Sequence, residues 1–176
     1  MKKILGILAG AMVVTAMISS CNLGPDIKKE PNTPEKEQQL LDEYLNKLIT
    51  EGHDIDTTDL GVYYVLIEAG DSIVEYPQTG DTLDVGYSGY LIDGSLFDYS
   101  DLYSNDGKYK FVLGDNQLIE GWNDGMKKIS KGSTVQLIIP SEFAYGSAGT
   151  SGGQIPPYST VIFVVKMFDI RPPATN

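Results

Sequence analysis

Residues that could carry nucleophilic, acid–base or metal chemistry are scarce in this chain of 176 residues, which has one cysteine, Cys21, and one histidine, His53. A single cysteine cannot close an internal disulfide, and one Cys/His pair cannot supply a zinc cluster. A metalloenzyme built on imidazoles is excluded for the same reason. A Ser-His-Asp hydrolase would have to recruit His53, which precedes the strand-rich region, so a surface role is the simpler interpretation.

Two loops resemble ligand-binding loops only in composition. One has the acidic and amide side chains of a calcium loop, at Asp98, Asp101, Asn105 and Asp106. Its glycine and terminal glutamate do not fall at the offsets that calcium binding requires. The glycine-rich segment 146–153 has no lysine after it, and prolines at 156–157 replace the helix that a phosphate loop needs. The sequence therefore predicts no metal site and no cofactor.

The charge of the chain is strongly acidic, with 13 Lys+Arg against 24 Asp+Glu and a formal net charge of −11. A field of this sign repels nucleic acids and acidic membrane surfaces. Arg171 is the only arginine, so bidentate recognition of phosphate groups has almost no side chains available. Nucleic-acid binding is not expected.

The first twenty residues have the pattern of an export signal. Lys2 and Lys3 form a basic start, and residues 4–18 are uncharged and too few to span a bilayer. The sequence ISSC at 18–21 resembles a bacterial lipobox, which predicts removal of residues 1–20 and lipidation of Cys21. The lipid would then anchor the protein to the inner or outer membrane of the cell envelope. A plain signal peptide with an incidental cysteine is the alternative.

A tether and a helix follow the export signal. Residues 21–33 are polar and contain prolines, as is typical of a flexible spacer. Thr33 and Pro34 suit the start of a helix over 34–51, which Gly52 would end. The apolar stripe of this helix comprises Leu41, Tyr44, Leu45 and Leu48. We expect it to dock on the following domain; dimerisation through the stripe is the alternative, so an oligomer is possible but not required.

From residue 61 the apolar pattern changes to a period of two, which indicates strands. The five strand-like runs cover 62–68, 82–91, 109–113, 135–139 and 161–167. Between the third and fourth runs a short helix is indicated by the spacing of Ile119, Trp122, Met126 and Ile129. The predicted fold class is α+β, with a five-stranded, mostly antiparallel sheet and one short helix laid on it.

Several motifs in the strand-rich region carry a family resemblance. In order they are VGYSG at 85–89, DG at 93–94, FD at 97–98, FVLG at 111–114, LIEGW at 118–122, FAYG at 143–146 and IPP at 155–157. Over residues 61–170 the chain resembles FKBP-type peptidyl-prolyl cis-trans isomerases. The resemblance implies a half-barrel sheet wrapped around the short helix, and isomerisation of X-Pro bonds without cofactor or covalent intermediate. The resulting division is a helix and connection at 34–60, an isomerase domain at 61–171 and a tail at 172–176.

The resemblance also implies a set of site residues of three kinds. The floor and walls of an aromatic pocket would be Trp122, Tyr87, Phe97 and Phe163. The rim would be closed by Tyr109, Leu118 and Ile155. Three polar groups would face the substrate: the backbone N–H of Ile119, the hydroxyl of Tyr145 and the carboxylate of Asp98. An apolar pocket suits this reaction because the twisted amide, ~18–20 kcal/mol above the planar one, is less delocalised and less favoured by water.

The chain departs from the family pattern beside Asp98. Many members pair this aspartate with an arginine in the following loop, whereas residues 99–108 contain none. A partly buried carboxylate needs a donor. The available donors are Lys108 and the hydroxyls of Tyr99, Ser100 and Tyr103. A second departure is Gln154, which stands beside Ile155 where an apolar residue is common.

Two functions are compatible with these features. The first is a prolyl isomerase that assists the folding of exported proteins, whose partners are unfolded or partly folded chains containing proline. The second is a chaperone or partner-binding module that keeps the apolar cleft and has little activity. We also expect a chain beginning near Asp54 to fold and remain active, because the five strands and the short helix lie beyond it.

Overall fold

The computed structural model describes residues 31–71 and 74–174, and within them the chain forms seven strands and two helices. The predicted signal peptide and Cys21 lie outside the described residues. The elements are α1 (Pro34–Thr50), β1 (Asp56–Thr57), β2 (Tyr63–Glu68), β3 (Thr82–Leu91), β4 (Leu96–Tyr99), β5 (Tyr109–Val112), α2 (Glu120–Met126), β6 (Thr134–Ile139) and β7 (Val161–Arg171). Short 3-10 turns lie at Ser100–Leu102 and Ser141–Phe143.

The strands form one antiparallel sheet in the order β1-β2-β6-β7-β3-β4, and β5 also pairs with β3. The α+β class and all five predicted strands are confirmed. Two short strands were not predicted: β1 extends one edge of the sheet, and β4 follows the turn at Gly94, whose φ of +86° suits glycine.

Helix α2 packs closely on one face of the sheet and forms the main hydrophobic core with it. Met126 and Ile129 are fully buried against strand residues such as Leu83 and Val85. Two glycines allow this approach, because a Cβ at Gly121 would clash with Ile139 and one at Gly125 with Leu137.

Helix α1 packs on the opposite face of the sheet. Side chains alternate along a strand, so Leu137 faces the main core whereas its neighbour Ile138 joins a second cluster with α1. Leu41 and Leu48 of the predicted stripe are 3% and 6% exposed in this cluster. Docking of the stripe on the domain is therefore confirmed, and the described chain has three layers, α1, sheet and α2.

The ends of α1 agree with the sequence pattern. The hydroxyl of Thr33 accepts a hydrogen bond from the Lys36 amide at 3.2 Å, and Pro34 occupies the first turn. Gly52, at φ +88°, follows the last turn. Among the described residues, no helix has the length and apolar character needed to cross a membrane.

Candidate active site

A cavity of about 230 Å³ lies between α2, the sheet and the loops that follow β4 and β6. It is lined by Tyr87, Asp98, Tyr103, Tyr109, Gln117, Leu118, Ile119, Trp122, Tyr145 and Phe163. All the site residues predicted from sequence are in this set except Phe97 and Ile155. The structure therefore brings together residues from four strands and loops that are far apart in the chain.

The buried end of the cavity is aromatic. Trp122 is 4% exposed, and its ring makes edge contacts with Phe163 and Tyr87 at centroid distances of 4.9 and 5.2 Å. Trp122 reaches this position because the glycines of α2 bring the helix onto β6. The edge-to-face packing fixes the rings without filling the cavity, which leaves an apolar surface for a ligand.

Phe97 and Ile155 do not line the cavity. The Phe97 ring makes an edge contact with Phe163 at 5.5 Å, and both rings cover Gly89, where a Cβ would lie within 3 Å of each. The Gln154 side chain donates a hydrogen bond to the Phe97 carbonyl at 2.6 Å and so links the loop after β6 to β4. Ile155 is 3% exposed and belongs to the main core.

Asp98 receives hydrogen bonds from tyrosines instead of an arginine. Its Oδ2 accepts from the Tyr87 hydroxyl at 2.8 Å, and its Oδ1 accepts from the Tyr103 hydroxyl at 3.2 Å and from the Tyr99 amide at 2.9 Å. Of the donors that the sequence offered, the Tyr103 hydroxyl therefore takes the place of the missing partner. The carboxylate is oriented by neutral groups.

Two of the other offered donors, Lys108 and the Ser100 hydroxyl, have different partners. The Lys108 ammonium lies 5.4 Å from the centroid of the Phe168 ring. The Ser100 hydroxyl accepts a hydrogen bond from the Tyr87 amide at 3.1 Å, which holds β3 against the loop after β4. Ser100 thus supports the position of Tyr87 without contacting Asp98.

The tyrosine hydroxyls of the cavity are held in their neutral form. Burial, followed by the hydrogen bond to Asp98, raises the pKa of Tyr87 far above its ordinary value of 10.0. Burial, followed by the charge of Asp98, also raises the pKa of Tyr145 and Tyr103. These hydroxyls therefore remain hydrogen-bond donors throughout the neutral pH range.

The segment before α2 is positioned by a residue that the sequence analysis missed. The Asn123 side chain accepts from the Gly114 amide and donates to the Asp115 carbonyl, both at 2.9 Å. These bonds fasten the turn that precedes Leu118 and Ile119 onto α2. The only sequence signal for this role is an amide side chain one helical position after Trp122.

Three donors at the cavity have no hydrogen-bond partner among the described residues. They are the indole N–H of Trp122, the hydroxyl of Tyr145 and the backbone N–H of Ile119. Only the Trp122 indole N–H is fully buried, and an unsatisfied buried donor costs about 1–3 kcal/mol; Ile119 and Tyr145 are half-buried. A bound peptide with carbonyl groups would provide acceptors for them.

These features define an FKBP-like domain: an antiparallel sheet packs around a short helix, and an aromatic cavity between them has Trp122 at its buried end. The family model for the FKBP-type peptidyl-prolyl cis-trans isomerase matches residues 74–168. The chain belongs to this family.

Relatives of known sequence and structure agree with this assignment. The chain is 42% identical over 130 residues to the FKBP-type peptidyl-prolyl cis-trans isomerase FkpA of Escherichia coli (strain K12). This alignment covers 74% of this chain and 45% of FkpA. It is 38% identical over 112 residues to peptidyl-prolyl cis-trans isomerase Fkbp12 of Drosophila melanogaster, covering 64% of this chain and all of that protein. The crystal structure of FkpA from Escherichia coli aligns with a TM-score of 0.64 and 38% identity, over 78% of this chain and 60% of that one. The chain spans about half the length of the first curated relatives it matches.

Proposed function

We propose that the protein is a peptidyl-prolyl cis-trans isomerase that accelerates the rotation of X-Pro bonds in exported proteins of the cell envelope. The observation that carries this proposal is the aromatic cavity with its unpartnered donors at Tyr145 and Ile119. The proline ring would contact Trp122, with Tyr87, Phe97 and Phe163 around it and Tyr109 and Leu118 at the outer edge, whereas Ile155 would support the site from the core.

The cavity promotes rotation by three physical effects. Its apolar walls withdraw the amide from water, which favours the less delocalised twisted form over the planar one. The Ile119 amide and the Tyr145 hydroxyl donate to substrate carbonyls and hold the chain near the proline, so that rotation is confined to one bond. Asp98, fixed by Tyr87 and Tyr103, places a carboxylate beside the reacting amide.

The direct test is the rate of cis-to-trans conversion in a short proline peptide, with Tyr145→Phe as the variant. We expect the chain to accelerate conversion, and Tyr145→Phe to lower kcat/KM about tenfold because one transition-state hydrogen bond is lost. Tyr76→Phe is the matched control, since Tyr76 is 51% exposed and does not line the cavity. A folded chain that binds proline peptides without accelerating conversion would instead be a binding module.

The proposed location is the surface of an envelope membrane, with Cys21 carrying the lipid. The support is the ISSC sequence at 18–21 after an uncharged stretch, together with the absence of a second cysteine. Residues 21–33 would then serve as the tether between the lipid and α1.

Fractionation of cells that express the whole chain tests this anchor. Cys21→Ala should move the protein from the membrane pellet to the soluble fraction, because each acyl CH₂ buried in the bilayer contributes about 0.8 kcal/mol. Lys28→Ala, in the same segment, keeps the cysteine and should stay in the pellet. A Cys21→Ala protein that remains in the pellet would show that the anchor is not this cysteine.

A further inference from the structure

Glu37, in the first turn of α1, contacts both ends of the segment 141–160, which carries Tyr145. Its Oε1 accepts hydrogen bonds from the Ser141 amide at 2.7 Å and the Thr160 hydroxyl at 2.8 Å. Its Oε2 accepts from the Ser141 hydroxyl at 2.5 Å. Ser141 and Thr160 are 4% and 2% exposed, so in the folded chain these buried donors are satisfied by the carboxylate of Glu37.

Ser141 connects Glu37 to the backbone of Tyr145. The Ser141 carbonyl accepts hydrogen bonds from the Ala144 amide at 2.9 Å and the Gly146 amide at 2.8 Å, one on each side of Tyr145. The Gly146 carbonyl in turn accepts from the Tyr158 amide at 2.9 Å, which closes the loop. Two successive hydrogen-bonded steps therefore join the carboxylate of Glu37 to the peptide units that place the Tyr145 ring.

This contact is separate from the docking of α1. The helix is held to the sheet by Leu41 and Leu48, which lie further along it in the second hydrophobic cluster. Glu37 precedes both, at the end of the helix nearest to the cavity loop, where Asn32 also donates to the Ser159 hydroxyl at 3.0 Å. Removal of the carboxylate can therefore disturb the loop without detaching the helix.

We propose that Glu37 is a positioning residue for the active site, which holds segment 141–160 so that the Tyr145 hydroxyl meets the substrate. This inference rests on the proposed isomerase function. Glu37 precedes the region that matches the family, residues 74–168, so the positioning group comes from an N-terminal element added to the family domain.

The test compares three variants of the full chain at a temperature well below the unfolding transition. Glu37→Ala should lower kcat/KM about tenfold, since small displacements of a positioned group have large effects on rate. The kcat/KM of Glu37→Gln should stay within about twofold of that of the unchanged chain. The glutamine oxygen can accept hydrogen bonds from Ser141 and Thr160, while its amide donates to the Ser141 hydroxyl. Glu43→Ala is the matched control, because Glu43 lies on the exposed side of the same helix and accepts a hydrogen bond from Gln39.

A double variant shows whether the effect passes through Tyr145. If it does, the losses caused by Glu37→Ala and Tyr145→Phe should not add when the two are combined. Additive losses would overturn the inference. So would a Glu37→Ala protein that melts at a lower temperature but keeps the kcat/KM of the unchanged chain, because Glu37 would then be purely structural.

Hydrogen exchange separates this inference from the proposed function. Glu37→Ala should lose protection at the Ala144 and Gly146 amides, whereas Glu37→Gln should retain it. If the unchanged chain has no isomerase activity, the proposed function fails, and this measurement alone decides whether Glu37 orders the loop. Unchanged protection in Glu37→Ala would overturn the inference whatever the activity.

Discussion

At the scale of single residues, the main feature is a carboxylate oriented without a cation. Asp98 is held by Tyr87, Tyr103 and the Tyr99 amide. The only arginine of the chain, Arg171, instead makes a bidentate pair with Asp84, with N–O distances of 2.7 and 3.0 Å. Among the described residues no cation pairs with Asp98, and the orientation of its carboxylate depends on tyrosine hydroxyls and one backbone amide.

Tyr103→Phe tests this replacement of arginine by tyrosine. We expect kcat/KM to fall about three- to tenfold, which corresponds to about 0.7–1.4 kcal/mol for one solvent-exposed hydrogen bond. Stability should change by less than about 1 kcal/mol, because the ring is retained and the residue is 59% exposed. Proline-peptide kinetics and thermal unfolding measure the two effects.

The matched control for this variant is Tyr99→Phe, since Tyr99 contacts Asp98 only through its backbone amide. It should leave kcat/KM unchanged. Equal losses of kcat/KM in both variants would show that the hydrogen bond from the Tyr103 hydroxyl to Asp98 has no specific role.

Phe97→Ala tests whether the edge of the cavity takes part in the reaction. We expect the isomerisation rate to fall at least tenfold, about 1.4 kcal/mol of transition-state stabilisation. The loss of stability should be smaller than the ~3–5 kcal/mol typical of a buried Phe→Ala, because Phe97 is only half-buried on the short strand β4. The same kinetic assay and a denaturant titration give both values.

Phe168→Ala is the control for loss of an aromatic ring, since Phe168 is 42% exposed and does not line the cavity. Its rate should equal that of the unchanged chain. If Phe97→Ala unfolds the domain or retains full activity, the assignment of Phe97 as a wall of the site is wrong.

At the scale of elements, α1 is integrated with the domain more closely than its place in the sequence suggests. Its apolar stripe covers Val65, Ile138 and Ile162, which are at most 4% exposed. The main core around α2 is a separate cluster on the other face of the sheet. Loss of α1 would therefore expose one cluster and leave the other intact.

A chain beginning near Asp54 should still fold around the main core, but with a clearly lower free energy of unfolding.

The variant Leu41→Ala removes one buried contact of α1. It should lower the free energy of unfolding by about 2–5 kcal/mol, as is typical of a buried Leu→Ala. Ile49→Ala on the same helix should cost little, because Ile49 is 60% exposed. Urea titrations of the three proteins measure these differences. A truncated chain without a cooperative transition would show that α1 is indispensable to the fold.

Sequence periodicity was sufficient for the elements that are long or strongly amphipathic. The five main strands and both helices were predicted because a period of two or 3.6 repeats several times in each. Strand β1 has two residues and β4 has four, too few to establish a period, so they were missed. Both are formed by pairing with a longer neighbour, which is a tertiary effect.

As with the elements, part of the site could be predicted from the sequence and part could not. Its aromatic members lie on well-defined strand and helix positions, and the family motifs indicated them. Neither kind of pattern shows that Gly89 lets Phe97 and Phe163 meet, or that Asn123 fastens the turn before α2. The contact of Glu37 with Ser141 joins residues 104 positions apart and has no local signal at all.

At the scale of the whole molecule, an acidic protein presents a cavity that is lined by one carboxylate, Asp98. The net charge is −11, and Asp98 and Asp115 both act on the rim residue Tyr109, whose pKa is raised mainly by burial and further by these charges. Such a field attracts cationic chains and repels anionic ones before any contact is made. The charge near the proline should therefore influence which substrates the cavity converts.

Peptides that differ only in the residues flanking X-Pro test this expectation. At low ionic strength, kcat/KM should be about tenfold higher for lysine flanks than for glutamate flanks, with glutamine between them. The difference should shrink towards 1 M salt, where the screening length falls to about 3 Å. Asp115→Asn should reduce the difference while keeping the hydrogen bond to the Gln117 amide, because the asparagine oxygen can still accept it. A preference that persists undiminished at 1 M salt would mean that direct contacts, and not the field of the molecule, select the substrate.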